Sequence, residues 1–325
     1  MDYRTAGRTD LNLSVLGLGT MTMGWSSDKE TSFAIMDAAL EAGITFFDTA
    51  DIYSRWVPGN PGGVAETWIG EWMKARRTRN RITLATKVRG QMWDGPDGEG
   101  LSRTHIMRAV EDSLRRLQTD VIDLYQTHWP DEAVSYEETM QALDDLIQQG
   151  KVRYIGCSNH TAEQLAAANR AAADHGLARY ETLQPHYNLV HRREFETALR
   201  ELCQKEAIGV VPYSPLAGGF LTGKYRRGQA APPGSRGAGS DRMAKYANDA
   251  GFGVVDTLTA IAERHKATPA QVALAWMLAN PAITSAIIGA RTVAQLTEIL
   301  AGVKLTLSQS EIADLNRASD RMPHS

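Results

Sequence analysis

Three short apolar runs each end on a residue that can handle a proton: ITFFD on Asp48, ITLATK on Lys87 and VIDLYQTH on His128, with Tyr53 five residues beyond Asp48. A phenol with its ordinary pKa of about 10 is a poor acid at neutral pH. An ammonium about 4 Å away would favour the phenolate by up to about 4 kcal/mol at an effective dielectric of 20, or about three pKa units, which brings Tyr53 towards the working range. Asp48 would hold Lys87 charged and in place, and His128 could donate a hydrogen bond that aims the substrate oxygen. Together the four could hand a proton to a carbonyl oxygen that becomes negative in the transition state. Singly they prove little, since a lone Asp–Lys pair is more often a structural ion pair and a lone His near a strand end is nearly as often packing.

Such residues meet only if the chain brings strand ends to one place. Eight runs rich in β-branched or aromatic residues recur: VLGLG, ITFFD, ITLAT, VIDLY, VRYIG, ETLQ, IGVVPY and SAIIG. Between them lie segments with helical spacing, such as Ile106, Met107, Val110, Leu114 and Leu117, whose apolar side chains share one face. Ser135 with Glu138, Thr161 with Gln164, Thr268 with Gln271, Thr292 with Gln295 and Ser308 with Glu311 match the capping-box spacing. Eight alternating units without a long linker predict a single (β/α)8 TIM barrel over residues 1–325 rather than a doubly wound sheet. The start, Tyr3 to Val15, reads as a β-hairpin able to plug the lower end, and the helix near Ser308 to Ala318 falls outside the eightfold repeat.

A parallel barrel delivers every strand's C-terminal end to the same rim. Beyond the first four residues, that rim would receive Ser158 and Asn159 from the fifth strand, Gln184 from the sixth, Tyr213 and Ser214 from the seventh, and Arg291 after the eighth. Trp25, Trp56, Trp93 and Trp129 lie shortly after the first four strands and predict a substrate pocket with aromatic walls, ordinary rim packing being the simpler alternative for each. Trp68, Trp72 and Trp276 fall on helices and read as core. Two loops, Arg89 to Arg103 and Pro215 to Gly251, are long enough to rim or cover the mouth.

The chain has 325 residues, 43% hydrophobic, with 35 basic and 38 acidic side chains and a net charge of -3. That suits a soluble globular protein with a large core, with no general attraction to nucleic acid or to an anionic membrane. The first residues lack the apolar segment of a signal peptide, and no apolar run is long enough to span a bilayer, so a cytoplasmic location is expected. Cys157 and Cys203 are the two cysteines, too few for a disulfide framework or a cysteine-based zinc site. No metal is expected, and the number of subunits cannot be read.

The segments FDTADIY, LATK, YQTHW, IGCSN, LQPHYN, YSPLAGGFLTGKY and IIGARTVAQLTE, in this order along nearly the whole chain, resemble the motifs of the aldo-keto reductase superfamily. The branch is similar to the bacterial one that also resembles the potassium-channel β subunits. The resemblance implies reduction of small aldehydes or ketones with NADPH, with Asp48, Tyr53, Lys87 and His128 as the catalytic tetrad and neither metal nor Rossmann domain. It further implies that Ser158, Asn159 and Gln184 hold the nicotinamide carboxamide, that Tyr213 stacks on the ring, and that Gly19, Thr20 and Met21 line its approach beside Asp48. The backbone of Ser214, Pro215, Leu216, Ala217 and Gly218, with Lys224 and Arg236, would embrace the pyrophosphate. Arg291, next to Gly289, would face the adenosine 2′-phosphate, and Gln295 and Glu298 would reach the adenosine. Where the family usually places Asn, this chain has Ile299, which removes a polar contact to adenine and leaves NADH possible.

Two other readings compete. GGFLTGK at 218–224 is a near miss for a nucleotide-triphosphate P-loop, but Tyr225 stands where Ser or Thr should reach magnesium, and breakers follow instead of a helix. An NADPH-binding redox sensor or accessory subunit is the other, and the complete tetrad argues against it.

Overall fold

Each of the eight runs forms a strand in the computed structural model, which describes residues 1–238 and 243–323. A hairpin comes first, β1 (Tyr3–Thr5) paired antiparallel with β2 (Asn12–Ser14). The barrel strands follow: β3 (Leu16–Gly19), β4 (Phe46–Asp48), β5 (Thr83–Val88), β6 (Ile122–Thr127), β7 (Val152–Ser158), β8 (Tyr180–Gln184), β9 (Gly209–Val210) and β10 (Ala286–Ile288). All neighbours are parallel in the order β10-β3-β4-β5-β6-β7-β8-β9. Closure between β9 and β10 is made beyond their ends: Tyr213 and Ile287 form a parallel bridge, Ile287 N–H donates to the Pro212 carbonyl at 2.9 Å and Thr284 N–H to Val210 at 2.8 Å.

Helices clothe the barrel: α1 (Lys29–Glu41), α2 (Val64–Arg76), α3 (Arg103–Leu117), α4 (Tyr136–Gln148), α5 (Ala162–Asp174), α6 (Arg200–Lys205), α7 (Asp249–His265), α8 (Pro269–Leu278), α9 (Val293–Leu300) and α10 (Gln309–Ser319). The expected stripe on α3 is buried at Ile106, Val110, Leu114 and Leu117. Three of the expected capping boxes are complete, at Thr161, Thr268 and Ser308. The other two are half-formed. Ser135 accepts from Glu138 N–H, but the Glu138 carboxylate turns to Arg103 N–H at the start of α3. Thr292 accepts from Gln295 N–H, while the Gln295 side chain bonds Arg291 N–H at 2.9 Å.

Side chains alternate in and out along a strand, and this sorts the barrel interior into layers. Phe46, Ala85, Leu124, Val211 and Ile287 form an apolar layer closed from below by Ala6, Leu11 and Leu13 of the hairpin. Gly17 makes room for it, because a Cβ there would lie 2.5 Å from the Phe46 ring. Two residues further along the same strands, on the same face, stand Asp48, Lys87 and Gln126, all buried. The sequence period therefore fixes that these polar groups point inward, directly above an apolar floor.

The segment after β9 begins with a 3-10 turn, Ala217–Thr222, and runs irregularly to α7. Residues 239–242 of the expected lid lie outside the described residues. The described part is tied across the mouth: Arg291 Nη1 donates to the Gly234 carbonyl at 2.7 Å, Gly237 N–H to the Tyr225 hydroxyl at 3.2 Å, and the Arg236 guanidinium lies 5.7 Å from the Trp25 ring. Residues 224–238 form turns and irregular backbone rather than a helix, so the P-loop geometry is not formed.

Candidate active site

Lys87 is the hub. Its Nζ, fully buried on β5, donates to Asp48 Oδ2 at 2.7 Å, to the Thr49 carbonyl at 2.8 Å and to the Tyr53 hydroxyl at 3.1 Å. All three ammonium protons are thus used, in a fixed direction. Strand register explains the meeting: Asp48 pairs with Ala85, two residues before Lys87, and Lys87 pairs with Gln126. The loop after β4 is then folded back onto β5, through Thr49 N–H to Ala85 and Asp51 N–H to Lys87, which carries Tyr53 over the ammonium.

Burial raises the Tyr53 phenol above its ordinary value, with Lys87 opposing. This corrects the expectation that the ammonium brings Tyr53 towards neutrality: removing a phenolate from water costs more than one cation 3.1 Å away returns. The phenol is therefore held protonated, with the Lys87 ammonium in hydrogen-bond contact with its oxygen. Burial pulls Lys87 down, but Asp48 and Tyr53 together outweigh it and the amine stays charged. His128 is driven well below its ordinary value by burial and then by Lys87, so its imidazole is neutral.

The neutral ring has one N–H to place. Nδ1 of His128 is buried without a hydrogen-bond partner; a buried donor is less tolerable than a buried acceptor, so the proton belongs on Nε2, which serves the cleft that His128 lines. The ring stands edge-to-face with Tyr53 at 5.8 Å and stacks on Trp129 at 3.8 Å.

Around this core runs a closed amide network. Gln184 Nε2 donates to Asp48 Oδ1 at 2.8 Å and to Gln126 Oε1 at 3.3 Å, and Gln126 Nε2 donates to the same Asp48 oxygen at 3.2 Å. Gln126 escaped the sequence reading, although a Gln two residues before His128 in an otherwise apolar run was the signal. Asn159, in the left-handed region at φ 59° that Asn tolerates, donates to the His128 carbonyl and to Ser158 Oγ, and accepts from the Tyr213 hydroxyl at 2.8 Å. The residues expected to hold a carboxamide are thus engaged with one another. Tyr213 stacks by one face on His186 at 5.1 Å.

One cleft of about 730 Å³ gathers most of the expected residues: Gly19, Met21, Asp48, Tyr53, His128, Ser158, Asn159, Gln184, Tyr213, Ser214, Pro215, Leu216, Gly218, Lys224, Arg236, Gly289, Arg291, Gln295 and Glu298, with Trp56 and Trp129 at the outer edge. Ile299 lines it too. Thr20 and Ala217 are buried behind the lining, and Trp25 stands beside it, edge-on to Trp56 at 5.7 Å. Trp93 does not reach it. Its ring stacks on His105 at 4.8 Å under Arg108 at 4.0 Å, and it lines a separate cleft between α2 and α3, because the loop after β5 folds outward over α3. The aromatic wall consists of Trp56, backed by Trp25, and Trp129, stacked on His128.

At the other end, Lys224, Arg236 and Arg291 gather. Burial and then the two guanidinium groups lower the Lys224 amine. The backbone beside them is a tight turn: Ser214, Ala217, Gly218 and Gly219 have φ of 57°, 49°, 67° and 99°, and the N–H groups of Ala217 and Gly219 donate within it to Ser214 and Leu216.

A buried ion pair under a phenol at the C-terminal mouth of a (β/α)8 barrel defines an oxidoreductase of the carbonyl-reducing class. The chain belongs to the aldo/keto reductase family, whose model matches residues 15–320. It is 36% identical over 338 residues to "Protein tas" of Escherichia coli, covering 97% of this chain and 96% of that one. It is 34% identical to a "Probable voltage-gated potassium channel subunit beta" of Arabidopsis thaliana, covering 93% and 91%. To an "L-glyceraldehyde 3-phosphate reductase" of Escherichia coli it is 31% identical, covering 98% and 92%.

Proposed function

We propose that this enzyme reduces aldehydes or ketones with NADPH, with Tyr53 as the proton donor. The observation that carries the reading is the contact of Lys87 Nζ with both Asp48 and the Tyr53 hydroxyl, fully buried beneath the cleft. The cofactor's fit is supported by Lys224 with two guanidinium groups, Arg236 and Arg291, that lower its amine at one end of that cleft, a repulsion that a polyanion would relieve. Lys224, Arg236 and the backbone of Ser214 to Gly218 would hold the pyrophosphate, and Arg291 the 2′-phosphate. Tyr213 would support the nicotinamide by its free face, with Ser158, Asn159 and Gln184 bounding the carboxamide. When bound, the cofactor supplies a hydride.

This chain's residues do the rest. His128 donates from Nε2 to the carbonyl oxygen and orients it towards Tyr53. Tyr53 transfers its proton as negative charge builds on that oxygen, and the Lys87 ammonium stabilises the phenolate left behind. Asp48 keeps Lys87 charged, and Gln126 and Gln184 hold Asp48. Ile299 gives adenine an apolar neighbour, so NADH is a weaker alternative rather than an excluded one. The two buried free cysteines accord with a cytoplasmic workplace.

Tyr53→Phe is expected to bind NADPH as the parent does, by fluorescence titration, while kcat falls at least about a hundredfold, the usual scale for losing a general acid. Unchanged kcat would remove Tyr53 from the role. The similarity to a channel subunit keeps a sensor reading in view. Steady oxidation of many equivalents of NADPH would favour the enzyme, and one equivalent only would favour the sensor.

A further inference from the structure

The charges of the cleft are sorted by strand. Lys224 and Arg236 follow β9 and Arg291 follows β10, which face β5 and β6 across the barrel. The tyrosine end is built by the loops after β3, β4 and β6: Met21, Ile52, Tyr53, Trp56, His128 and Trp129. Among the described residues that line this end, none is a cation reachable by a substrate. Lys87 is sealed beneath, with its three protons committed, and His128 is neutral. Trp56 and Trp129 remain 44% and 37% exposed, a degree unusual for such side chains. Thr22, in the same lining, spends its hydroxyl proton on the Ala290 carbonyl at 3.0 Å.

On the reading given above as to the reaction, we propose that the site selects flat, uncharged aryl carbonyl compounds and disfavours phosphorylated or polyhydroxylated aldehydes. An aryl ring against Trp56 and Trp129 buries apolar surface on both partners and leaves its carbonyl at Tyr53 and His128. Among the described residues that line this end, a phosphate would find no free counter-ion. An aldose would bring several hydroxyls to a wall of Met, Ile and Trp, and each would lose water without a replacement partner. Arg236 lies 5.7 Å from the ring of Trp25, behind Trp56, and Arg55, next to Trp56 in the chain, is held on the Pro61 and Met92 carbonyls.

The test compares kcat/KM for benzaldehyde, glyceraldehyde and glyceraldehyde 3-phosphate at saturating NADPH, and then the ratio of benzaldehyde to propanal in Trp56→Ala. Benzaldehyde is expected to exceed both glyceraldehydes by at least about tenfold, the phosphate to bring no gain over its parent, and the benzaldehyde-to-propanal ratio to fall about tenfold in the variant. A phosphorylated substrate preferred over its parent would overturn the selectivity while leaving carbonyl reduction intact. An unchanged ratio in Trp56→Ala would overturn it as well. If cofactor binds but no carbonyl is consumed, the reaction itself fails, and the selectivity falls with it.

Discussion

At Tyr53 two opposing effects meet, and their balance decides what pH dependence the enzyme should show. Burial favours the neutral phenol, Lys87 favours the phenolate, and burial prevails. His128 is likewise neutral because burial and Lys87 both oppose its charge. Activity should therefore be lost neither on the acid side, through an imidazole near its ordinary value, nor on the alkaline side until the pH passes the ordinary phenol value. We expect kcat/KM to be flat from about pH 6 to about pH 9, ordinary His and Tyr titrating near 6.5 and 10. A descending limb centred near pH 7 would mean that the ammonium, not burial, controls the phenol. That Asp48, Tyr53, Lys87 and His128 would meet was legible in the sequence, because all four sit at or just past strand ends. The direction of the phenol's shift was not, since it depends on how completely the loop after β4 closes over the side chain, and no residue type reports that. Gln126 was hidden for a related reason: a polar residue inside an apolar strand announces burial without naming its partner.

Elements were read more securely than the uses of their caps. The eight strands follow from short apolar runs with breakers between them, and α10 follows from Ser308 with Glu311. Ser135 and Thr292 begin helices as their spacing says, yet Glu138 and Gln295 answer neighbours outside the box, which only the packed structure supplies. Trp93 went astray because a loop's direction is set by what it packs on, here His105 and Arg108. Glu311 shows a cap doing tertiary duty. It closes the Ser308 box and also meets His265 Nε2 at 2.9 Å and Arg264 Nη2 at 3.4 Å at the end of α7. The Ser308 N–H and then His265 hold its carboxyl down to about 2, against burial. A carboxyl depressed in the folded state stabilises above its ordinary value and releases that stability as pH falls. The window here runs from about 4.5 down to about 2. Glu311→Gln should therefore unfold at lower urea at pH 7, and the gap to the parent should narrow between pH 4.5 and 3. A gap of constant size would show that the charge contributes nothing and that only packing was lost.

The whole molecule divides stability and chemistry between opposite ends of one barrel. Below, the hairpin inserts Ala6, Leu11 and Leu13 against Phe46, Ala85 and Leu124. Above, two residues along the same strands, Asp48, Lys87 and Gln126 carry the polar layer, and outside it the loops form the cleft. In such barrels the C-terminal face holds the chemistry and the N-terminal face serves stability. Leu13 is fully buried, so Leu13→Ala should lower the unfolding free energy by roughly 3 kcal/mol, the middle of the range for a buried leucine truncated to alanine. The apolar layer separates Leu13 from the ion pair, and Lys87 is held by three hydrogen bonds of its own. Well below the melting temperature, kcat/KM should stay within about threefold of the parent, while NADPH should still add the same unfolding free energy at about 25 °C as in the parent, by urea titration, since that term depends on the affinity of the folded state. A fall in kcat that tracks the loss of stability would mean that the floor of the barrel positions Lys87, and that the two ends are one cooperative unit.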